Sequence, residues 1–264
     1  MSMRRKILVG LAVGCLVATL AGRAQAQART ELLLYCGITM VRPMTDIAKN
    51  FEQRENVKIT IAQGGSEDLF QSAKKTGVGD WYLPGEPSYR EKHLKDGLFG
   101  EHVTVGYNQM SLMVAKGNPK QVKSDPRELL RKDLVVIIGN AESGSAGQEA
   151  KQILDGIGIY PRVIQQAAFL APDSRSIVNA MKKGEADVSL NWRAVAFFPD
   201  NAPRVEVVDL DPKLAKPQAL LLIQLKSSRH AEVGKRFMAY AAGEEGQAIF
   251  RKWGFLDNKA LAAK

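Results

Sequence analysis

Residues 134–154 combine an apolar run, a group of small polar residues and a helical pattern. The apolar run, residues 134–138, is typical of a strand that is buried on both faces. Small polar residues follow from Gly139 to Gly147, and apolar residues then recur along one helical face. A helix that starts after such a turn presents free backbone N–H groups at the positive end of its dipole. These groups could bind an anion without lysine or arginine, although an ordinary strand-to-helix turn would look similar.

Two better-known motifs share part of this spacing, and neither is complete. Gly139 and Gly144 have the glycine spacing of a phosphate-binding P-loop, but Ser145 and Ala146 occupy the positions that require lysine and serine or threonine. The nucleophile turn of a serine hydrolase needs glycine two residues before its serine, and Ser143 stands there. The turn therefore indicates neither nucleotide hydrolysis nor a hydrolase.

Histidine and cysteine are too sparse to indicate metal chemistry. His93, His102 and His230 have no ligand partner close to them in the sequence, so we expect no zinc site. Cys36 is the only cysteine after residue 26, which rules out an internal disulfide in a chain cleaved there. We expect a buried structural thiol, the alternative being a soft ligand or redox group.

The N-terminus has the pattern of a secretory signal peptide over residues 1–26. It has basic residues at positions 4–6 and an uncharged run of 16 residues at positions 7–22, which is short for a membrane span. Residues 24–26 form an Ala-x-Ala cleavage site, so we expect cleavage near Ala26 and export to the periplasm. Lipidation of Cys15 is a weaker alternative.

The charge of the cleaved chain is only mildly basic. The whole sequence has 37 Lys and Arg, 28 Asp and Glu and a net charge of +9; four basic residues and no acidic ones lie within residues 1–26, which leaves +5. Basic residues are interspersed with acidic ones and form no block with aromatic residues. The sequence therefore gives no indication of nucleic-acid binding.

Predicted strands and helices alternate along the chain. Strands are expected at residues 31–36, 57–62, 79–83, 103–115, 134–138, 187–190, 204–208 and 217–225, and helices at 44–53, from 66 onward, 86–95, 127–131, 145–154, 160–169, 174–183, 231–242 and 243–253. Alternation of this kind predicts an α/β fold with mostly parallel sheets. The long β segments near 105–115 and 217–225 suggest two lobes joined by two strand crossings. Ligands of such sheets bind beyond the carboxyl ends of the strands.

Four motifs in order resemble one protein family. They are YCGITMVRPMTDIAKNFE followed by VKITIAQGGSEDLF, GDWYLPGE, SAGQEAKQIL and EGQAIFRKWGF, and they span about residues 31–256. Together they are similar to the periplasmic solute-binding proteins of ABC transporters, and most similar to the molybdate- or tungstate-binding type.

The resemblance implies a two-lobed periplasmic-binding-protein fold of type II, with each lobe a mostly parallel sheet flanked by helices. Residues 27–110 and 219–264 would form lobe 1, and residues 111–218 would form lobe 2. Hinge closure is expected near residues 107–112 and 215–219. The ligand would lie in the cleft between the lobes.

The family holds a tetrahedral oxyanion with hydroxyl and backbone N–H groups, and the resemblance assigns these roles to five positions. The hydroxyl positions fall on Thr39 and Ser66, the backbone donors on Ala146 and Ser174, and the position of a tyrosine on Trp192. Thr39 is bulkier than the family's serine, Ser174 could add a hydroxyl, and Trp192 offers an indole N–H in place of a phenol. Each position also has an ordinary structural role, as a helix cap or a packing aromatic.

Three arginines flank these positions and could also meet an anion. They are Arg42, Arg175 and Arg193. We expect them to attract anions from the edge of the cleft rather than to contact the ligand.

The resemblance implies a monomeric binding protein that delivers an inorganic oxyanion to the membrane permease of an ABC importer. It implies no enzyme activity, no cofactor and no free metal cation. One alternative is a binding protein for a protonatable oxyanion such as phosphate, in which Asp173 or Glu142 accepts the proton. Others are a ligand-sensing subunit and a thiol-dependent enzyme that uses Cys36.

Overall fold

The computed structural model describes residues 29–257. The predicted signal peptide, its cleavage site and Cys15 lie outside the described residues. Within the described part, no helix is long and apolar enough to cross a membrane.

Residues 29–257 contain ten strands and eight α-helices, which mostly alternate in lobe-forming βα units. The strands are β1 (Thr30–Gly37), β2 (Val57–Gly64), β3 (Trp81–Leu83), β4 (Phe99–Asn108), β5 (Met110–Ala115), β6 (Val136–Gly139), β7 (Phe169–Ala171), β8 (Val188–Trp192), β9 (Val205–Asp209) and β10 (Gln218–Leu225). The helices are α1 (Val41–Glu52), α2 (Ser66–Thr76), α3 (Ser88–Lys92), α4 (Ser145–Gly156), α5 (Tyr160–Gln166), α6 (Ser174–Lys183), α7 (Ala231–Ala242) and α8 (Glu244–Lys252). Short 3₁₀ helices span Ile38–Met40, Leu94–Asp96, Pro126–Leu130 and Arg193–Phe197.

The strands form two five-stranded mixed sheets, and these confirm the predicted two-lobed α/β fold. The first has the order β2-β1-β3-β10-β4, and the second has the order β7-β6-β8-β5-β9. In the first sheet β10 is antiparallel to both of its neighbours, and in the second β5 is. The remaining pairs are parallel. We call the first sheet with α1, α2, α3, α7 and α8 lobe 1, and the second with α4, α5 and α6 lobe 2.

The chain passes between the sheets twice, and the two passages touch. β4 ends at Asn108 in the first sheet and β5 begins at Met110 in the second, so the first passage is at Gln109. The return falls between β9 and β10, so β10 lies wholly in the first sheet and is not itself the crossing. The Gln109 side chain donates from Nε2 to the carbonyl of Ala215 at 2.8 Å, which ties the two passages together.

Most predicted elements are present, and the limits of α6 and α7 agree with the apolar periodicity. Asp173 caps α6, because its Oδ1 accepts from the Ser176 backbone N–H at 2.7 Å. The helix predicted over residues 160–169 is too long, since α5 ends at Gln166 and Phe169 begins β7. β7 is an edge strand whose first two residues are exposed, so its backbone pairing with β6, and not burial, decides its conformation. Residues 86–95 likewise divide into a short α-helix and a 3₁₀ turn.

Candidate functional site

A small pocket, which we call the interlobe pocket, lies where the two lobes face each other. Its empty volume is about 240 Å³. Lobe 1 contributes Gly37, Ile38, Thr39, Gly64, Gly65, Ser66 and Gly85, and lobe 2 contributes Gly144, Ser145, Ala146, Asp173 and Ser174. The structure therefore brings together four of the five positions assigned from the resemblance, although they are far apart in the sequence.

Four helix starts converge on this pocket. The 3₁₀ turn at Ile38–Met40 follows β1, and α2, α4 and α6 follow β2, β6 and β7. Within each sheet these strands are parallel, so their carboxyl ends lie at one edge. The first N–H groups of a helix have no intrahelical partner, and the helix dipole places partial positive charge beside them. The pocket thus collects hydrogen-bond donors and positive potential from both lobes.

Ser66 presents a hydroxyl whose proton is available to a ligand. Its Oγ accepts from the Gly85 backbone N–H at 3.1 Å, which leaves the hydroxyl proton to be donated elsewhere. The buried Tyr82 hydroxyl donates to the Ser66 carbonyl at 2.9 Å and holds the start of α2 in position. Thr39, only 3% exposed, lies beside it in the lining. Lobe 1 therefore offers the Ser66 hydroxyl along with backbone donors, and Thr39 lies in the same lining.

Ser145 is a lining residue that the sequence interpretation did not assign. It is the first residue of α4, as Ser66 is of α2, and a glycine precedes each of them. That repeated Gly-Ser pair was the signal available in the sequence. The Trp192 indole N–H donates to Ser145 Oγ at 3.0 Å, so the Ser145 hydroxyl proton can also point toward a ligand. Trp192 itself is fully buried and does not line the pocket. The sequence interpretation expected it to contact the ligand, but Ser145 lies between the indole and the pocket.

Ser174 lies in the lining, but its hydroxyl is already hydrogen-bonded. Its Oγ donates to Asn191 Oδ1 at 2.5 Å, and Asn191 returns a bond from Nδ2 to the Ser174 carbonyl at 3.2 Å. The additional hydroxyl expected from Ser174 is therefore directed at Asn191, and its backbone N–H remains the available donor.

The charge at the pocket comes from backbone dipoles and one carboxylate. Among the described residues that line it there is no lysine or arginine. Asp173 is in the lining, half-buried, with its Oδ1 bonded to the start of α6. Glu142 is exposed and does not line the pocket. Of the two carboxylates considered from the sequence, only Asp173 is placed to meet a protonated ligand oxygen.

The three flanking arginines lie outside the interlobe pocket. Arg42 pairs with Asp200 at 2.6 Å, and Arg193 pairs with Asp209 at 3.0 Å. Arg175 donates to the neutral amide oxygen of Gln63 at 3.0 Å. The bonds of Arg42 and Arg175 each join the two lobes.

Two glycines let the lobes approach closely around the pocket. A Cβ atom on Gly65 would overlap the carbonyl oxygen of Ser143, and one on Gly85 would overlap the Ser145 side chain. Gly65 has φ −65° and ψ 147°, a conformation that any residue adopts, so it is space across the cleft that requires glycine there. Together the two glycines allow the lobes to meet with only a small pocket between them.

A pair of buried carboxyl groups lies close to the pocket, one from each lobe. Glu149 of α4 is 3% exposed; its Oε1 accepts from Gln218 Nε2 at 2.9 Å, while its Oε2 has no partner. Burial, reinforced by the charge of Glu86, raises the pKa of Glu149 to about 7. Burial also raises the pKa of Glu86, which accepts two bonds from Ser88. Protonation of these groups removes the repulsion between them.

Cys36 is fully buried in β1, and its Sγ contacts the Gly37 carbonyl at 3.5 Å. Burial strongly raises the pKa of this thiol, so it is not ionised near neutral pH. A thiol of this kind is structural rather than nucleophilic. Within residues 29–257, no group of three or more His, Cys, Asp or Glu side chains is arranged to hold a metal ion.

Comparison with known proteins agrees with this architecture. The profile of the family described as bacterial extracellular solute-binding protein matches residues 32–256. The chain belongs to this family. The molybdate-binding protein ModA of Mycobacterium bovis is 22% identical over 231 residues, which cover 87% of this chain and 85% of ModA. The resemblance to molybdate-binding proteins found in the sequence is thereby confirmed.

Solved structures of low sequence identity share the fold. The periplasmic molybdate-binding protein of Azotobacter vinelandii superposes with a TM-score of 0.72 at 15% identity, covering 85% of this chain and 98% of that one. The sulfate-binding protein SubI of Mycobacterium tuberculosis superposes with a TM-score of 0.75 at 17% identity, covering 89% and 90%. These two proteins take different oxyanions, so the fold alone does not select the ligand.

Proposed function

We propose that this solute-binding protein captures one tetrahedral oxyanion of the molybdate or tungstate type and delivers it to an ABC importer. The observation that carries the proposal is the convergence of four helix starts, drawn from both lobes, on a small pocket without lysine or arginine in its lining. A site made of donors suits a fully deprotonated dianion, which accepts hydrogen bonds and donates none. Thr39, Ser66, Ala146 and Ser174 would contact the ion, with Trp192 holding Ser145 in place.

The available donors are sufficient for tight binding. Five or six charge-assisted hydrogen bonds, each contributing roughly 1.5–3 kcal/mol, exceed the roughly 8 kcal/mol that corresponds to a micromolar dissociation constant. The excess offsets the entropy lost on association and on closure of the lobes. We place the hinge at the touching passages near Gln109 and Ala215.

In this proposal the protein binds and releases its ligand without chemical change, as a periplasmic monomer. The support is the state of Cys36, the nucleophile considered from the sequence, since this thiol is buried and un-ionised. The family to which the chain belongs consists of binding proteins.

A second candidate ligand is a protonatable oxyanion such as phosphate, and one observation favours it. Asp173 lines the pocket, and a carboxylate there can accept the proton of hydrogen phosphate but repels a bare dianion. Calorimetry with molybdate, tungstate, sulfate, phosphate and arsenate separates the two candidates. Tight binding of molybdate without binding of phosphate supports the first. The reverse pattern excludes the first and supports the second.

A further inference from the structure

Among residues 29–257, one salt bridge joins the two lobes. Arg42 of α1 in lobe 1 pairs from Nη2 with Asp200 Oδ1 at 2.6 Å, and Asp200 lies in lobe 2 between β8 and β9. The other salt bridges of this part of the chain each lie within one lobe. The Arg42–Asp200 pair must therefore break when the lobes separate.

The Arg42 guanidinium also lies over two aromatic rings, one from each lobe. Its carbon is 4.7 Å from the ring centre of Phe198 in lobe 2 and 5.6 Å from that of Trp253, which follows α8 of lobe 1. The two rings meet edge to face with their centres 5.6 Å apart. We call Arg42, Trp253, Phe198 and Asp200 the latch. Its contacts between the lobes are complete only when the lobes are closed.

The latch lies beside the interlobe pocket. Arg42, Phe198 and Asp200 line a neighbouring cavity with an empty volume of about 480 Å³. Ile38 and Thr39 line both this cavity and the pocket, so the two spaces share a wall. The latch residues themselves do not line the pocket. The latch is thus placed to act on the position of the lobes and not on the ion directly.

We infer that the latch sets how long the oxyanion stays bound, with Arg42 and Asp200 as positioning residues that slow the opening of the lobes. The inference rests on the proposed function, because it assumes an ion held between closed lobes. Charge alone predicts the opposite effect for Asp200, since removing a carboxylate beside the pocket should strengthen anion binding. The latch predicts weaker binding, because only the closed form loses a contact.

The test is stopped-flow tryptophan fluorescence with molybdate, with calorimetry for the dissociation constants. Trp192 contacts Ser145 at the pocket and Trp253 belongs to the latch, so both report on the closed form. Asp200→Asn should release molybdate about 1.5- to 5-fold faster than wild type, as expected for one exposed ion pair. Arg42→Gln also loses the ring contacts and should release it about 3- to 30-fold faster. The double variant should match Arg42→Gln, because the pair can be lost only once.

A similar salt bridge within lobe 2 provides matched controls. Arg193 pairs with Asp209 at 3.0 Å, and its guanidinium carbon lies 4.5 Å from the ring centre of Phe197. Arg193→Gln and Asp209→Asn remove the same charges as the latch variants but no contact between the lobes. Both controls should release molybdate at the wild-type rate.

Unchanged or slower release from Asp200→Asn would overturn the inference and leave the proposed function standing. Changes in the controls as large as those in the latch variants would also overturn it, since net charge would then set the rate. If the wild-type protein bound neither molybdate nor tungstate, the proposed function would fail and the inference with it.

Discussion

Replacing Gly65 with alanine is expected to weaken oxyanion binding because the added methyl group would block closure of the lobes. The new Cβ would overlap the backbone carbonyl oxygen of Ser143 in lobe 2, and no side-chain rotation can relieve a contact with backbone. The backbone of Gly65 itself is unstrained for alanine. Overpacking of this kind costs about 1–3 kcal/mol, which corresponds to about a 5- to 150-fold higher dissociation constant.

Gly156, at the end of α4 and outside the pocket lining, offers a matched control. A Cβ there would meet no atom within 4 Å. Gly156→Ala should therefore bind the ion within about twofold of wild type. Calorimetry measures both affinities. Urea unfolding without ligand measures any loss of stability that arises because alanine is a poorer helix N-cap than glycine at position 65. If Gly65→Ala bound the ion as tightly as wild type, the proposed closure of the lobes around the ion would be wrong.

Three further predictions concern buried groups near the pocket. The folded-state pKa of Glu149, about 7, lies above the 4.5 of a free glutamate, so the folded protein binds more protons in that window and its stability falls as pH rises from about 4.5 to 7. Glu149→Gln should therefore raise the free energy of unfolding at pH 8 by up to about 3 kcal/mol and leave it nearly unchanged at pH 4.5. Urea titrations at the two pH values measure this gain in stability. An equal gain at both pH values would contradict the prediction. Trp192→Phe removes the donor to Ser145 and should weaken anion binding by about 2- to 13-fold in calorimetry. The circular-dichroism spectrum should be preserved. An unchanged affinity would show that the Trp192 indole N–H does not contribute to anion binding. Iodoacetamide should label Cys36 slowly at neutral pH and rapidly after unfolding in urea, and rapid labelling of the native protein would revive the thiol alternative.

The convergence of distant segments could be anticipated from the sequence because it follows from parallel strands. Their carboxyl ends share an edge, so the helix starts after β1, β2 and β6 had to face one cleft once two lobes were inferred. The Gly-Ser pairs at residues 65–66 and 144–145 mark two of these starts, although only Ser66 was recognised as a candidate.

Other features of the site depend on geometry that the sequence pattern does not contain. Whether a polar side chain faces the cleft or bonds behind it is decided by its neighbours, as the Ser174 hydroxyl shows by pairing with Asn191. Trp192 does not line the pocket for a similar reason, because its indole N–H donates to the Ser145 hydroxyl. The edge strand β7 was missed because hydrogen bonding to β6, rather than an apolar pattern, makes it a strand.

The most direct test of the central claim is anomalous diffraction from crystals of the protein grown with tungstate. A single tungsten peak is expected within the interlobe pocket, with ligand oxygens in hydrogen-bond range of Thr39, Ser66, Ala146 and Ser174. A tungsten peak elsewhere, or an interlobe pocket without tungsten in a protein that calorimetry shows to be saturated, would contradict the account.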